Sequence, residues 1–422
     1  MLRIGSGEQI RVGVFGAKRG LSITRNAGAA AGLKLVAVCD SWEEGALRVQ
    51  AECGGEDQVT IHGDFDEFLS HDFDAVILAN YFHQHTPFAI KALEAGKHVM
   101  SECAACHTLA EGVALARAVE ESGKIYMFAE NYPYFAANQE MRRLYQDGFV
   151  GKFTYGEGEY IHPSTVEQRL SISPGLQHWR NWIPSTYYCT HSLAPVMYIT
   201  DTRPVTVNGF VIPRDHDHPE HALTVNRQDP ASIIMCRMDN QALVKLAQVS
   251  MRGHGNHYRI HGDRGLMETV RGSNELRVYK EAFDNGGERV DRRYVPEFPV
   301  HSEAASKATH GGGDFFTNYY FGKAIREGRQ PYLDVYKGID MSIVGILAYR
   351  SALAGGIPLD VPDFRDETQR RDYESDHWSP DPERAGPGQP FPSVTGDIQP
   401  SPEAIELAKS VWSSIGHDVD TP

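Results

Sequence analysis

Glu102 and Cys103 place a carboxylate beside a thiol directly after His98–Ser101, an apolar run that reads as a short buried strand. At the carboxyl end of a sheet strand, backbone groups are unpaired and side chains converge, which is where open α/β folds place ligands. The pair therefore stands within reach of a ligand, or else in an ordinary strand-to-helix loop. Cys103 and Cys106 also have the spacing of a redox or zinc motif. No second pair follows at zinc-ribbon spacing, and the surroundings do not resemble a thioredoxin-like unit. His191, preceded by Tyr188 and Thr190, offers an imidazole, the side chain best suited to moving a proton at neutral pH. A lone histidine ahead of an apolar helix is otherwise a structural residue. Arg180 sits amid His178, Trp179 and Trp182. That set either binds sugar hydroxyls while the indoles stack on a ring, or forms a packed aromatic corner. His310, ahead of a glycine triplet, either caps a pocket or marks a loop. Asp215-His216-Asp217-His218-Pro219-Glu220-His221 carries metal-ligating groups, yet it reads better as a solvated loop between strands, and no metal is expected.

The elements that must position these groups begin with Ile10–Phe15 (IRVGVF), followed at once by Gly16-Ala17-Lys18-Arg19-Gly20. Small residues at helical density (26–32) lead to a second buried strand, Leu33–Cys39, closed by Asp40. An acidic residue about 20 positions beyond a strand–turn–helix unit has the spacing of dinucleotide binding. The turn is not the usual G-x-G-x-x-G, so alone it is a weak signal; Lys18 and Arg19 would supply side-chain donors to a pyrophosphate in place of backbone contacts. A carboxylate at Asp40 accepts ribose hydroxyls and repels a 2′-phosphate, which favours NAD over NADP. Residues 74–79 form the next strand, running into Asn80-Tyr81-Phe82-His83-Gln84-His85, with a helix over 86–95 that Gly96 stops. Strands alternating with short helices to about residue 129 predict an α/β, doubly wound parallel sheet.

From Gly151 the texture changes. Residues 152–160, 205–211, 231–238, 242–251 and 258–261 are strand-like and separated by turn residues, which predicts a mostly antiparallel sheet covered on one face by helices. Residues 163–186, rich in Ser, Pro and Trp, read as a site-lining loop. The organisation expected is a nucleotide-binding domain over 1–129, a substrate-binding α+β domain over 130–365, and a proline-rich acidic extension over 366–422. The extension ends in a candidate amphipathic helix, 402–415, able to wrap over the body or a neighbouring subunit.

The net charge of −15 argues against nucleic acid or an anionic membrane surface as partner. No apolar run approaches a membrane span. The first eight residues lack the apolar core of a signal peptide, and six cysteines in 422 residues are read as reduced thiols, so the chain is expected to be cytoplasmic.

The opening strand and turn, Asp40, the loop ending in His85, and "AGKHVMSE" before a helix resemble the glucose–fructose oxidoreductase and inositol dehydrogenase (Gfo/Idh/MocA) superfamily. Residues 324–364 resemble its C-terminal end. The dehydrogenases of that superfamily carry Glu-Lys-Pro in the anchor turn, and the lysine hydrogen-bonds the reacting hydroxyl. Here Cys103 takes the lysine's place, and a thiol cannot substitute for that cation. A narrower resemblance is to the NAD-dependent α-N-acetylgalactosaminidase-like glycosidases, which also lack the lysine. It rests on Glu102-Cys103-Ala104-Ala105, Glu130-Asn131, the segment ending Glu159-Tyr160-Ile161-His162, Tyr188 to Val196, and His310 to Asp314. The resemblance implies a Rossmann-type first domain, NAD as cofactor and a carbohydrate or glycoside as substrate. In that chemistry a sugar C3 hydroxyl is oxidised, the C2 proton is lost, the aglycone leaves, water adds and the hydride returns. It implies Gly16, Lys18 and Arg19 at the pyrophosphate, Asp40 at the ribose, Asn80, Phe82 and His85 along the loop, and Glu102, Cys103 and Asn131 nearer the nicotinamide. His191 would move the hydroxyl proton. Tyr160 and Tyr188 would bind substrate or act as elimination base, a role requiring a depressed phenol pKa. Arg180, Thr190 and His310 would complete the sugar site, in a dimer or tetramer. The alternatives are a sugar or polyol dehydrogenase without the lysine, and a non-catalytic NAD and sugar sensor.

Overall fold

Apolar runs buried on both faces decide the first domain. In a computed structural model describing residues 9–215 and 218–417, β1 (Ile10–Phe15), β2 (Leu33–Cys39), β3 (Thr60–His62), β4 (Ala75–Leu78), β5 (His98–Ser101) and β6 (Tyr126–Phe128) form one sheet. Their order is β3-β2-β1-β4-β5-β6 and every pairing is parallel. All four residues of β4 are buried, as expected of a strand with helices on both sides. The order reverses between β1 and β4, so the loops after β1, β4 and β5 converge at one end of the sheet. Gly16 is what lets the first two loops meet. A Cβ there would lie 2.4 Å from the Ala79 carbonyl, and its φ of 101° is one that glycine adopts freely. Helix begins at once after Gly16, over Ala17–Ile23, and passes into a wider turn at Thr24–Gly28. The helical density expected over 26–32 is thus the end of a segment that starts nine residues earlier; the basic pair Lys18 and Arg19 lies within it.

The second sheet has nine strands: β7 (Phe153–Ile161), β8 (Pro204–Ile212), β9 (Ala231–Met238), β10 (Leu243–Val249), β11 (Gly255–Gly262), β12 (Leu266–Thr269), β13 (Leu276–Lys280), β14 (Val290–Tyr294) and β15 (Leu359–Asp360), in the order β14-β13-β12-β11-β7-β10-β9-β8-β15. Only β7 and β10 pair in parallel, so the sheet is mostly antiparallel. Helices Thr190–Thr200 and Val335–Leu353 lie across it. The first comes so near that a Cβ on Gly158 would meet the Ser192 carbonyl oxygen at 2.0 Å. That close seating sets His191 against β7. Residues 163–186 are not a plain loop: they hold helix Val166–Ile172, with a capping box from Thr165 and Gln168, and a short turn at Trp179–Asn181.

The extension wraps its own chain. Arg370 pairs with Glu120, the Ala110 N–H donates to the Asp376 carbonyl at 3.1 Å, and the Tyr349 hydroxyl donates to the Phe391 carbonyl at 2.6 Å. Its last helix, Pro402–Ser414, buries Ala404, Ala408 and Trp412 against Leu170 and Val225, and the Trp412 indole donates to the Leu170 carbonyl at 3.0 Å. The N-terminal octet and the pair His216–Asp217 of the acidic, histidine-rich loop lie outside the described residues.

Candidate active site

Asp40 closes β2 and turns back to the first loop, where its carboxylate accepts the Ala17 N–H at 2.6 Å and the Trp42 N–H at 2.9 Å. Two large rings stay open to solvent in this corner: Trp42, next but one to Asp40, is 46% exposed, and Tyr81 in the loop after β4 is 43% exposed. At the end of β4, the Asn80 amide is buried with neither its oxygen nor its nitrogen partnered among the described residues. Such a group is costly unless something else bonds to it. A pair of open rings beside a carboxylate, a glycine pinch and an orphaned amide fit a dinucleotide lying across the loops. Lys18 is exposed beside this cleft; partial burial and the nearby Arg180 lower its pKa.

Arg19 has a different place from the expected pyrophosphate position. Its Nε donates to Glu102 at 2.7 Å, and Nη1 and Nη2 bind both oxygens of Asp314 at 2.9 and 2.8 Å. A guanidinium so committed is a clasp between the two sheets' domains. Asp314, whose side chain is fully buried, also accepts from Asn131 Nδ2 at 2.8 Å and meets His310 Nδ1 at 2.9 Å. Burial alone would raise its pKa, but Arg19 and His310 hold the carboxyl far below the usual range. Asn131 and His310 thus serve the clasp. Phe82 and His85 are likewise supports rather than open contact groups, at 5% and 2% exposed. The His85 ring spans the Ala104 and Asn80 carbonyls at 3.1 and 3.3 Å, fixing the loops after β4 and β5 to each other.

The chemistry is concentrated around Glu130, at the end of the segment that follows β6. Its carboxylate is fully buried, and both oxygens lie 2.9 Å from His191 Nδ1. The Cys103 thiol donates to it at 3.1 Å and the Tyr132 N–H at 3.3 Å. Burial pushes the carboxyl upward, but His191 and the hydrogen bonds from His191 and Cys103 outweigh it, and the net pKa is below the ordinary value. An ionised Glu130 accepts from His191 Nδ1–H, so in the neutral imidazole the lone pair lies on Nε2. The imidazole stacks on Tyr132 at 4.6 Å and packs beside Tyr160 at 4.6 Å, and its backbone carbonyl accepts from the Tyr258 hydroxyl at 2.8 Å. Its side chain keeps 17% exposure. Cys103, Glu130 and His191 present ligand atoms within 4.8 Å of one another. They are joined as a hydrogen-bonded chain, and burial with two neighbouring carboxylates pushes the Cys103 thiol far up, so it stays protonated. Cys103 and Cys106 are both free thiols.

An aromatic wall continues the site. Phe82 stacks on Trp179 at 5.0 Å, Trp179 on Tyr188 and Tyr188 on Tyr160 at 5.9 Å each, and Tyr160 on His162 at 4.0 Å. The Arg180 guanidinium lies 4.3 Å over Trp179 and donates to the Tyr188 hydroxyl. Trp182, at 2% exposed, belongs to a packed corner with His83 and His107 rather than to a sugar platform. Trp179 is covered too, at 8%. The elimination-base role expected of the phenols is not what their surroundings favour. Burial raises both, and the opposing influence of Arg180 does not reverse it. Both stay protonated phenols, and the Tyr188 hydroxyl accepts from Arg180. The structure therefore brings Cys103, Tyr160, Tyr188, Thr190 and His191 to one corner and adds three residues that sequence reasoning left without a role: Glu130, Tyr132 and Asp314. Glu130 and Asp314 stood in the motifs quoted above, next to residues that were given roles.

Residues 10–130 match the model of the oxidoreductase family, NAD-binding Rossmann fold (Gfo/Idh/MocA), and residues 200–370 match that of the glycosyl hydrolase 109 C-terminal domain. A glycosyl hydrolase family 109 protein of Saccharopolyspora erythraea is 26% identical over 390 residues, covering 85% of this chain and 83% of that one. An alpha-N-acetylgalactosaminidase of Shewanella oneidensis is 24% identical, covering 85% of each chain. Among solved structures, levoglucosan dehydrogenase in complex with NADH superposes with a TM-score of 0.72 at 22% identity, over 84% of this chain and 99% of that one, a likeness of fold. The chain thus unites a Gfo/Idh/MocA-family NAD-binding Rossmann domain with a glycosyl hydrolase 109 C-terminal domain.

Proposed function

We propose that this chain is an NAD-dependent glycosidase. A sugar C3 hydroxyl is oxidised transiently, the acidified C2 proton is lost with the aglycone, water adds at C1, and the ketone is reduced again. The observation that carries this reading is the buried Glu130 holding His191 while Cys103 stands where a dehydrogenase of the fold has its lysine. NAD, when bound, supplies the reversible hydride acceptance. His191 Nε2 takes the hydroxyl proton, and Glu130 stabilises the imidazolium that results. Tyr160, Tyr188 and Thr190 orient the sugar, with Arg180 aligning Tyr188. Asp40 binds the adenosine ribose, Asn80 and Glu102 lie along the cofactor, and Lys18 supports the pyrophosphate. The hydrogen-bonded thiol at Cys103 leaves no cation to stabilise an alkoxide, so proton removal rests on the imidazole.

Because a relative carries the name alpha-N-acetylgalactosaminidase, 4-nitrophenyl α-N-acetylgalactosaminide is the first substrate to test. Anaerobic incubation in deuterium oxide is expected to release nitrophenol without accumulation of reduced nicotinamide, and to place deuterium at C2 of the recovered sugar. Reduced nicotinamide accumulating without aglycone release, across a panel of aryl glycosides, would mean a net dehydrogenase instead. Neither event would mean a binding protein. The fold leaves one face of the second sheet covered with paired charges, among them Glu157 with Arg259 and Glu268 with Arg277. A homo-oligomer using that face is part of this proposal, to be checked by light scattering. Among the described residues no helix is long and apolar enough to cross a membrane. A cytoplasmic location is likewise proposed, from reduced cysteines and charge.

A further inference from the structure

A cavity of about 290 Å³ opens beside the aromatic wall and shares Tyr188 with it. It lies between helix Val166–Ile172, the ends of β8 and β10, and the segment around Thr224 to Pro230. Of the three guanidiniums that line it, those of Arg169 and Arg214 make no ion pair with a carboxylate among the described residues. Arg169 is bonded to the Arg180 carbonyl at 2.8 Å and to the Asn226 amide oxygen at 2.9 and 3.0 Å, which leaves its Nη1 without a partner among the described residues. Arg214 is 8% exposed, and its side-chain acceptors are all neutral: the Gln228 and His221 carbonyls and the Thr224 hydroxyl, at 3.0 to 3.4 Å. Burial, with Arg180 beside the one and Arg169 beside the other, pushes both down to about 10, the nearby Asp229 carboxylate only partly opposing this at Arg214. Ser185, also in the lining, is 4% exposed and its hydroxyl has no partner among the described residues. The two carboxylates of the wall are already engaged. Glu220 pairs with Arg252 at 3.0 Å, and Asp229 accepts from the backbone of Arg214 and Val394 and from Ser393.

Two guanidiniums with no ion-paired carboxylate among the described residues, that of Arg214 buried, stand next to a buried hydroxyl with no partner there, a set of donors suited to an oxyanion in a chain of net charge −15. We propose that this cavity is a subsite for an oxyanion, carboxylate or phosphate, carried on the leaving group of the glycoside, whose sugar lies on the far side of Tyr188. This assignment rests on the glycosidase reading for its link to catalysis. The cavity's affinity for an oxyanion does not.

Two measurements test the pair of claims separately. The holoprotein, saturated with NAD so that the dinucleotide cleft is filled, is titrated with inorganic phosphate against chloride at matched ionic strength, and binding is read by calorimetry. Saturable binding of phosphate is expected, weakened about tenfold or more in Arg169→Gln and by less in Arg169→Lys, which retains the charge but not the fork. Equal responses to phosphate and chloride, or equal affinities in wild type and Arg169→Gln, would overturn the subsite. Should Arg169→Gln fail to fold, the charge-retaining lysine variant and Ser185→Ala give the same comparison. Next, kcat/KM is compared for 4-carboxyphenyl and 4-methylphenyl glycosides of one sugar. The carboxylate is expected to be preferred about tenfold, and Arg169→Gln to erase the preference. Turnover of both with no preference overturns the leaving-group assignment. Turnover of neither, with phosphate binding intact, counts against the glycosidase reading and leaves the oxyanion subsite standing.

Discussion

Replacing Glu130 by glutamine isolates what the buried charge does, because the amide keeps the size and one acceptor oxygen of the carboxylate. In the native site both oxygens face His191 Nδ1 at 2.9 Å, with no exposure of the carboxylate to water. When His191 accepts a proton at Nε2, the imidazolium forms against that carboxylate. Two opposite unit charges about 4 Å apart at an effective dielectric near 20 attract by roughly 4 kcal/mol. At about 1.4 kcal/mol per decade, losing that attraction slows the step about a thousandfold. The ground state loses much less. The neutral imidazole still has an amide oxygen to donate to, and the desolvation of a buried carboxylate disappears with its charge, so stability moves by only about 1–2 kcal/mol. Glu130→Gln is therefore expected to lower kcat about a thousandfold with little change in KM or in NAD affinity. The assay is aglycone release under single-turnover conditions, beside calorimetric NAD binding and urea unfolding of the same preparations. A variant with kcat within about threefold of wild type would refute the dyad. So would a loss of NAD affinity as large as the loss of rate, which would make Glu130 a structural residue only.

Arg19→Met strands a fully buried Asp314 and should cost about 3–5 kcal/mol in urea unfolding, whereas Arg19→Met with Asp314→Leu should cost less than the single change. Asp40→Ala should weaken NAD binding about tenfold to a hundredfold and raise the NADP-to-NAD affinity ratio, read by calorimetry; an unchanged ratio would remove Asp40 from the ribose. Burial lowers His83 to about 4, and burial with Arg180 and Lys18 lowers His178 to about 2. Both are neutral in the fold where the unfolded chain is already protonated, so unfolding takes up protons below about pH 6.5. Stability should then fall as pH drops from about 6.5 toward 4, by about 1.4 kcal/mol per pH unit for each histidine, and a flat profile in denaturant titrations over that window would contradict their burial.

What could be read in advance, and what could not, divides along the range of the interactions. The strands Ile10–Phe15, Leu33–Cys39 and His98–Ser101 were legible because a parallel strand buried on both faces leaves an unbroken apolar run, ended here by Gly16, Asp40 and Glu102. The helix His85–Glu94 and the tail helix were legible from their punctuation and spacing. Residues 163–186 were misread as loop because serine, proline and tryptophan suggest no periodicity, while the Thr165 and Gln168 capping box that starts a helix there is a pair signal easily lost among them. The site residues named from local motifs gather where expected, but their partners do not announce themselves. Glu130 meets His191 across 61 positions, and Arg19 meets Asp314 across 295. With 56 acidic residues in the chain, nothing local distinguishes Glu130 and Asp314, buried against an imidazole and a cation, from those that face water.

That asymmetry bears on the chemistry. A local motif reports which groups are present; burial and distant charge decide which protonation state each holds. Tyr160 and Tyr188 were candidate bases by type and stay protonated phenols by burial. Cys103 is half of a redox or zinc spacing by type and a proton donor by its burial and two neighbouring carboxylates. Glu130, unassigned by type, is the one group in the corner whose surroundings favour its charged form despite full burial. The departure at Cys103 and the retention of His191 thus have a single physical cause. In a site whose fixed charge is a buried carboxylate, an imidazole gains by accepting a proton. A lysine at position 103 would pair with Glu130 instead and take the imidazole's counter-charge. Cys103→Lys should accordingly not restore a dehydrogenase: it should lower aglycone release by weakening the Glu130–His191 contact, without yielding net reduced nicotinamide. Accumulation of reduced nicotinamide in that variant would show that the missing cation alone separates the two activities.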